Sequence, residues 1–195
     1  MYEIPTKIIL NGEEFQIRNN GDYRMVLDCF EALQDTELSM LGRLFASLII
    51  FYEDINSIED VNKFPDLNEA VIQMYNFFNC NQPQSMGKKV HTKLIDWKLD
   101  SQLICSAINN VANKEIRSVP YIHWWTFVGY YTAIDGESLL ANIVRIRSKL
   151  INGKKLEKYE REFKATSPEY FVWNSKTVEQ NETDELLKQI WNNEE

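Results

Sequence analysis

Apolar side chains recur at intervals of three and four residues along most of this chain, a spacing typical of amphipathic α-helices. Residues 36–54 carry the most apolar pattern, and we expect them to form a central helix. Asp22 is a favourable N-cap residue and predicts a helix that ends near Gln34. Pro65 is expected in the first turn of another helix, where a missing N–H costs nothing. Further helices are predicted after Asp100, over residues 121–131, after Gly136-Glu137-Ser138 and over residues 154–165.

The first twenty residues have a different pattern. Lys7-Ile8-Ile9-Leu10 and Phe15-Gln16-Ile17 flank Asn11-Gly12, a dipeptide favoured in the two-residue turn of β-hairpins. A lone hairpin is marginally stable in water, so this one is expected to pack on other elements. The predicted fold class is therefore mainly α: a helical domain with a short N-terminal β-hairpin and a polar C-terminal tail.

The same pattern predicts how the chain is divided. Residues 1–165 are expected to form the helical domain, with an exposed loop over residues 79–89 as the candidate boundary between two subregions. Residues 166–195 are predicted to form a polar acidic tail. This tail has one amphipathic patch, which contains Leu187 and Trp191.

The composition excludes several classes of protein. Hydrophobic residues make up 44% of the 195 residues, which is enough for a sizeable core. The longest apolar run, residues 48–52, is far shorter than the roughly 20 residues of a membrane span. The first residues also lack the pattern of a signal peptide. The three cysteines, Cys29, Cys80 and Cys105, are widely spaced and are expected to be reduced, buried thiols.

Charge is distributed unevenly along the chain. Residues 1–87 have a net charge of -9, residues 88–165 of +6 and residues 166–195 of -5, within a total of -8. Three interpretations fit: a solvated helix face, a surface for an acidic partner, and a nucleic-acid surface. Glutamates that interrupt the basic stretch weaken the third, because phosphates would have to approach them. The densest basic stretch contains Arg145, Arg147, Lys149, Lys154, Lys155, Lys158, Arg161 and Lys164.

The sequence offers little that could support catalysis. The two histidines, His91 and His123, lack the spacing of a zinc site, and the motifs of phosphate-binding loops and nucleophile elbows do not occur. An enzyme that pairs one of these histidines with a cysteine is the remaining catalytic hypothesis. We therefore expect no catalytic residue, no cofactor and no metal. His123 is expected to be structural, and the aromatic residues after it are expected to lie in the core.

The string Tyr121-Ile122-His123-Trp124-Trp125-Thr126-Phe127 is the most specific feature of the chain. An acidic-glycine turn at Asp135-Gly136 and the basic residues 145–164 follow it, and Asp96-Trp97-Lys98-Leu99-Asp100 precedes it. A helix start at Asp22-Tyr23-Arg24 follows the hairpin. In these features the chain, over roughly residues 5–165, resembles the bacteriophage gene-product-fifteen family of long-tailed phages and prophages of Gram-positive bacteria.

The resemblance implies a non-enzymatic role in phage tail morphogenesis, as a tail assembly chaperone in the host cytoplasm. Such a chaperone would keep the helical tape-measure protein soluble while tube subunits polymerise around it. The implied partners are the tape-measure protein and tail-tube subunits; no membrane is expected, and nucleic acid is the less favoured partner. The predicted partner-binding residues are Arg145, Arg147, Lys154, Lys155, Leu187 and Trp191.

Other possibilities stay open at the level of the sequence. The alternative function is a nucleic-acid-binding accessory protein that uses the basic residues 88–165. The sequence also leaves open whether the chain forms a homo-oligomer, whether it stays in the virion, and whether ribosomal frameshifting extends it.

Overall fold

The structure, a computed structural model, describes residues 3–82 and 94–172. Contacts divide the described chain into two compact units. Unit 1 contains residues 3–82 and Tyr121–Phe127, and unit 2 contains residues 94–120 and 128–172. Residues 83–89 of the predicted loop and residues 173–195 of the predicted tail lie outside the described residues. The predicted domain boundaries therefore stay predictions.

Unit 1 begins with an antiparallel hairpin and continues with three helices. The strands pair in a register that places Ile8 opposite Phe15. Asn11 and Gly12 have φ angles of 48° and 89°, which are the positive values that this turn requires. The predicted hairpin is thus confirmed. The elements are β1 (Lys7–Leu10), β2 (Glu13–Gln16), α1 (Tyr23–Leu33), α2 (Met40–Phe51) and α3 (Leu67–Phe78).

The end of α2 is set by a side chain from the turn after the hairpin. Nη2 of Arg18 donates to the carbonyl oxygens of Ile49 and Tyr52, both at 3.1 Å. These oxygens have no helical partner at a C-terminus, so the guanidinium replaces the missing N–H groups. At the other end, Oγ of Ser39 accepts from the N–H of Gly42 at 3.1 Å. The predicted helix over residues 36–54 was therefore too long at both ends.

The other two helices of unit 1 begin at carboxylates. Oδ1 of Asp22 accepts from the N–H of Arg24 at 3.0 Å, which confirms the predicted cap of α1. Oδ1 of Asp66 accepts from the N–H of Asn68 at 2.8 Å and caps α3 in the same way. Pro65 precedes this cap and lies outside the helix, so its expected place in the first turn was wrong.

Unit 2 is built around α4 (Ser101–Ala112) and α6 (Leu139–Ile151). The division between the units falls within α5 (Trp124–Thr132), after Phe127. Oγ of Ser138 accepts from the N–H of Ala141 at 3.2 Å and starts α6 as predicted. Gly153, with φ of +63°, follows the end of α6. The helices are α4 (Ser101–Ala112), α5 (Trp124–Thr132), α6 (Leu139–Ile151) and α7 (Lys158–Thr166), followed by a 3-10 turn at Pro168–Phe171.

The described residues confirm a mainly α fold with an N-terminal hairpin. Two predictions in unit 2 need correction. Helix α7 begins at Lys158, four residues later than expected, because the carboxylate of Glu160 accepts from the N–H of Glu157 at 2.8 Å and organises the first turn there. Asp100 precedes α4, but its side chain makes no cap hydrogen bond. Among the described residues, no helix has the length and apolar character to cross a bilayer.

Candidate partner-binding surface

The basic residues of α6 and α7 surround a buried carboxylate. Glu160 has no exposed surface, and its two oxygens accept from Nζ of Lys149 at 2.7 and 2.8 Å. The Lys149 ammonium is the main reason that the pKa of Glu160 is lowered, with the N–H of Glu157 also contributing. Arg145 approaches the same carboxylate at 4.0 Å. Part of the basic stretch therefore neutralises a charge inside unit 2.

Arg147 lies inside unit 2 and is 1% exposed. Its Nη1 and Nη2 donate to the carboxylate of Asp100 at 2.6 and 2.9 Å. The same guanidinium donates to the carbonyl oxygens of Leu94 at 2.9 Å and Tyr170 at 2.6 Å. It therefore joins three segments of unit 2, and its place inside the unit does not fit the expectation that it faces a partner. Its position four residues after buried Ile143 is the sequence signal for this.

Five other cations of the stretch are exposed, and one of them, Lys158, lies 4.0 Å from the carboxylate of Glu162. The side chains of the other four make no hydrogen bond or ion pair with any residue in the described part of the chain. The four lie within eleven consecutive residues, and α7 is only about 13 Å long at 1.5 Å per residue, so we treat them as one patch, in which the carboxylates of Glu157 and Glu162 are also exposed. We call this patch the basic surface; it consists of Lys154, Lys155, Arg161 and Lys164.

The structure thus separates the predicted partner-binding residues. Lys154, Lys155 and Arg145 are exposed, and Arg145 lies beside Tyr159, with Nη2 3.5 Å from the phenol oxygen. Arg147 is internal. Leu187 and Trp191 lie outside the described residues, so their role stays a prediction. Arg161 and Lys164 carry no assigned role in the sequence analysis and now belong to the surface.

His123 is held between backbone groups of unit 1. Its Nδ1 accepts from the N–H of Trp125 at 3.1 Å, and its Nε2 lies 3.0 Å from the carbonyl oxygen of Pro5. The two contacts fix the neutral tautomer with the proton on Nε2. Burial is the main reason that the pKa of His123 is lowered. Its predicted structural role is confirmed by these contacts.

The cysteines of the described chain are free thiols. Cys29 is fully buried, and burial raises the pKa of its thiol to about 12, which disfavours the thiolate needed for nucleophilic attack. Cys80 and Cys105 are partly exposed, so the expectation that all three are buried was wrong for these two. Among the described residues, no cluster of three or more His, Cys, Asp or Glu side chains is suited to a metal. His91 lies outside the described residues.

The distant motifs that the sequence analysis grouped together meet in the structure. In unit 1, Oδ2 of Asp22 accepts from the N–H of Ile122 at 2.9 Å, and the ring of Tyr23 stacks on that of Phe127 at 4.4 Å. In unit 2, Asp100 and Arg147 form the buried ion pair. A family model described as Bacteriophage Gp15 protein matches residues 2–171, a range that contains all of these motifs. The chain belongs to the bacteriophage Gp15 family.

Membership in the Gp15 family makes this chain a bacteriophage structural or morphogenesis protein, from a family that is not known as enzymatic. Comparison with curated proteins and with solved structures gives no significant match. The matched range includes the basic surface and ends one residue before the last residue that the structure describes. In this Gp15 protein, most residues of the motifs that resemble the family therefore stabilise the fold. The exposed cations are the candidate for contact with a partner.

Proposed function

We propose that this Gp15 protein is a tail assembly chaperone, which binds the tape-measure protein in the host cytoplasm before the tail tube polymerises around it. The proposal rests on one observation: this phage structural protein exposes the basic surface. Its four exposed cations have no described internal partner, so they are available to an acidic segment of another chain. Tail-tube subunits are a second proposed partner.

The exposed charges of the surface are suited to reversible binding of a helix. Exposed charges at the edge of an interface mainly raise the association rate and add little affinity, so a complex built on them can be released later. A chaperone requires this property, because its client has to pass into the tail. A partner helix with carboxylates on one face would match the four cations of the surface.

An aromatic side chain lies beside the cations. Tyr159 is 56% exposed on α7, and its phenol oxygen is 3.5 Å from Nη2 of Arg145. Tyrosine and arginine are enriched among residues that dominate binding energy at protein interfaces. We include Arg145 and Tyr159 in the proposed contact, together with Leu187 and Trp191, which stay predictions from the sequence.

The proposal is tested by co-expression with the tape-measure protein of the same phage. We expect the full-length chain to raise the soluble fraction of the tape-measure protein and to co-purify with it. The double variant K154E/K155E should lower both. The matched control is K98E/K114E, which changes the charge by the same amount at two exposed positions elsewhere in unit 2.

The control separates a specific surface from net charge. Equal loss in both variants, or no effect of the wild-type chain on the tape-measure protein, would contradict the proposal. Nuclease treatment before purification distinguishes the alternative function. A complex that disappears after nuclease digestion would point to nucleic acid as the partner, and its binding would also weaken steeply with salt.

A further inference from the structure

The dipeptide Asn-Gly occurs at three places in the chain, which are Asn11-Gly12, Asn20-Gly21 and Asn152-Gly153. Asparagine is prone to deamidation there, because the backbone nitrogen of the next residue can attack the side-chain amide and glycine has no Cβ to obstruct the approach. The attack requires that both groups are free to move towards each other. The surroundings of the three dipeptides differ, so the structure distinguishes their reactivity.

Asn11 and Gly12 form the turn of the hairpin, and both are exposed. The side chain of Asn11 and the N–H of Gly12 make no hydrogen bond with any residue that the structure describes. The space around Gly12 is open, since a Cβ there would meet nothing within 4 Å beyond its chain neighbours. The nitrogen and the amide that would react are therefore both available at this turn.

Both groups are held at Asn152-Gly153, which follows α6. The N–H of Gly153 donates to the carbonyl oxygen of Leu150 at 3.2 Å. Nδ2 of Asn152 donates to the carbonyl oxygen of Ser148 at 2.7 Å. These hydrogen bonds have to open before the nitrogen can reach the side-chain amide, so this dipeptide is a protected comparison within the same molecule.

Asn20-Gly21 is held by packing. Gly21 is buried, and a Cβ there would lie 2.7 Å from Cζ of Phe77 and 3.0 Å from Nε2 of His123. The carbonyl oxygen of Asn20 accepts from the hydroxyl of Tyr121 at 2.9 Å. Ring closure has to turn the peptide group between Asn20 and Gly21, and both the packing and this hydrogen bond oppose that rotation.

The neighbouring charges act against this order. Carboxylates beside Gly12 disfavour loss of its amide proton, whereas two lysines follow Gly153. These charges are exposed, so water and salt screen them. Glu14 is in addition neutralised by Lys7, whose Nζ lies 2.7 Å from its carboxylate. The hydrogen bonds and the packing therefore decide the order of reactivity.

We propose that Asn11 is a site of spontaneous deamidation, and that its main product alters the turn of the hairpin. The nitrogen of Gly12 loses its proton to solvent and forms a bond to Cγ of Asn11. The Cγ–Nδ2 bond breaks, and the leaving group takes a proton from water and departs as ammonia. Water then opens the cyclic imide at either carbonyl, which gives aspartate or isoaspartate without any transfer of electrons.

Isoaspartate continues the backbone through the side-chain carbon and adds a methylene group to the turn. Leu10 is fully buried and Phe15 is 6% exposed, so the strands on both sides of the turn are anchored in unit 1. A lengthened turn no longer fits the two-residue connection between β1 and β2. The reaction also adds a carboxylate next to Glu13. The modified hairpin should therefore open more readily.

Peptide mapping of the aged full-length protein tests the assignment. Trypsin cleaves after lysine and arginine, and it places the three dipeptides in separate peptides: residues 8–18, 19–24 and 150–154. After incubation in mildly alkaline buffer, we expect deamidation at Asn11 to be at least about tenfold faster than at Asn152 or Asn20, because hydrogen bonds or packing have to be broken first at those two sites. Incubation in guanidinium chloride is the control, and the three rates should converge there.

Two results would overturn the assignment. The first is deamidation at Asn152 or Asn20 that is as fast as at Asn11 in the folded protein. The second is an equally large preference for Asn11 in guanidinium chloride, which would mean that the flanking sequence and not the fold sets the order.

The effect on the hairpin is measured by hydrogen exchange. Anion-exchange chromatography isolates the deamidated protein, in which isoaspartate is the expected main product. Its reference is the variant Asn11→Asp, which adds the same charge on an ordinary backbone. We expect amides in residues 8–18 to exchange faster in the aged protein than in Asn11→Asp. Equal exchange would show that the added methylene group does not disturb the turn.

Discussion

The indole Nε1–H of Trp124 donates to the carbonyl oxygen of Phe78 at 2.8 Å, within unit 1. The neighbouring Trp125 donates in the same way to the carbonyl oxygen of Phe77 at 3.0 Å. These two carbonyls belong to the last turn of α3, where helical partners are missing. The adjacent tryptophans of the family string thus act as a side-chain cap for the C-terminus of α3, and His123 positions Trp125 through its backbone N–H.

We expect Trp124→Phe to destabilise the protein more than Trp125→Phe. Both variants keep an aromatic ring and lose an indole donor, but the carbonyl of Phe77 also accepts from the N–H of Cys80 at 3.0 Å. Loss of the indole donor to the buried Phe78 carbonyl should lower the free energy of unfolding by about 1–3 kcal/mol. Urea denaturation followed by circular dichroism measures the difference. Equal stability of the two variants would contradict the capping role.

Gly21 provides a second test of the packing around His123. A Cβ at this position would lie 2.7 Å from Cζ of Phe77 and 3.0 Å from Nε2 of His123, on a backbone with φ of +76°. Gly21→Ala should therefore cost clearly more than the roughly 1–2 kcal/mol of the left-handed backbone alone. The matched control is Gly12→Ala, where φ is +89° and no atom lies within 4 Å. Similar thermal unfolding of the two variants would show that the contact is not tight.

His123 should make the stability of the protein depend on pH. Because burial lowers its pKa in the folded state, the unfolded chain binds the proton more tightly, and the neutral ring stabilises the fold above the ordinary pKa near 6.5. This contribution should be lost as the pH falls from about 6.5 to the lowered folded value. Protonation of Nδ1 would also break its bond to the N–H of Trp125.

Measuring the free energy of unfolding at pH values from 5 to 8, in steps of roughly half a pH unit, checks this dependence. His123→Asn should be less stable at neutral pH and should flatten the dependence in that window. His91→Gln is the control for the other histidine. If His91→Gln removes the slope and His123→Asn does not, the assignment to His123 is wrong.

The pair of Asp100 and Arg147 should be essential for unit 2. Both side chains are almost fully buried, so removing one partner leaves an uncompensated charge and should cost about 3–5 kcal/mol. We expect this from Asp100→Asn and from Arg147→Met. The double variant Asp100→Asn/Arg147→Met should be less destabilised than the sum of the single variants, because no buried charge remains. Additive losses in a double-mutant cycle would contradict the pairing.

Several elements could be predicted because their determinants are local. Asn11-Gly12 specifies its turn, and Asp22 and Ser138 cap helices whose apolar faces follow directly in the chain. Element bounds were less predictable. Helix α2 ends where Arg18, more than thirty residues earlier in the chain, supplies donors to its last carbonyls, and no local pattern indicates this.

The candidate site shows the same limit. The basic stretch by itself does not distinguish the four predicted cations, which are Arg145, Arg147, Lys154 and Lys155. Burial places some of them at internal ion pairs and leaves the others on an exposed surface. The place of Arg147 on the apolar face of α6, after Ile143, was a usable signal. By contrast, its partner Asp100 is 47 residues away and has the appearance of a helix cap.

By itself the sequence determined the mainly α class, the hairpin, the starts of α1 and α6 and the string that led to the Gp15 family, because each depends on neighbouring residues or on a contiguous motif. Only the tertiary structure decided which charges are neutralised inside unit 2 and which remain exposed. It also decided that the two tryptophans complete a helix more than forty residues away. The physical reason is that the cost of burying a charge or a carbonyl depends on the partner that folding brings to it, and that partner is not adjacent in the chain.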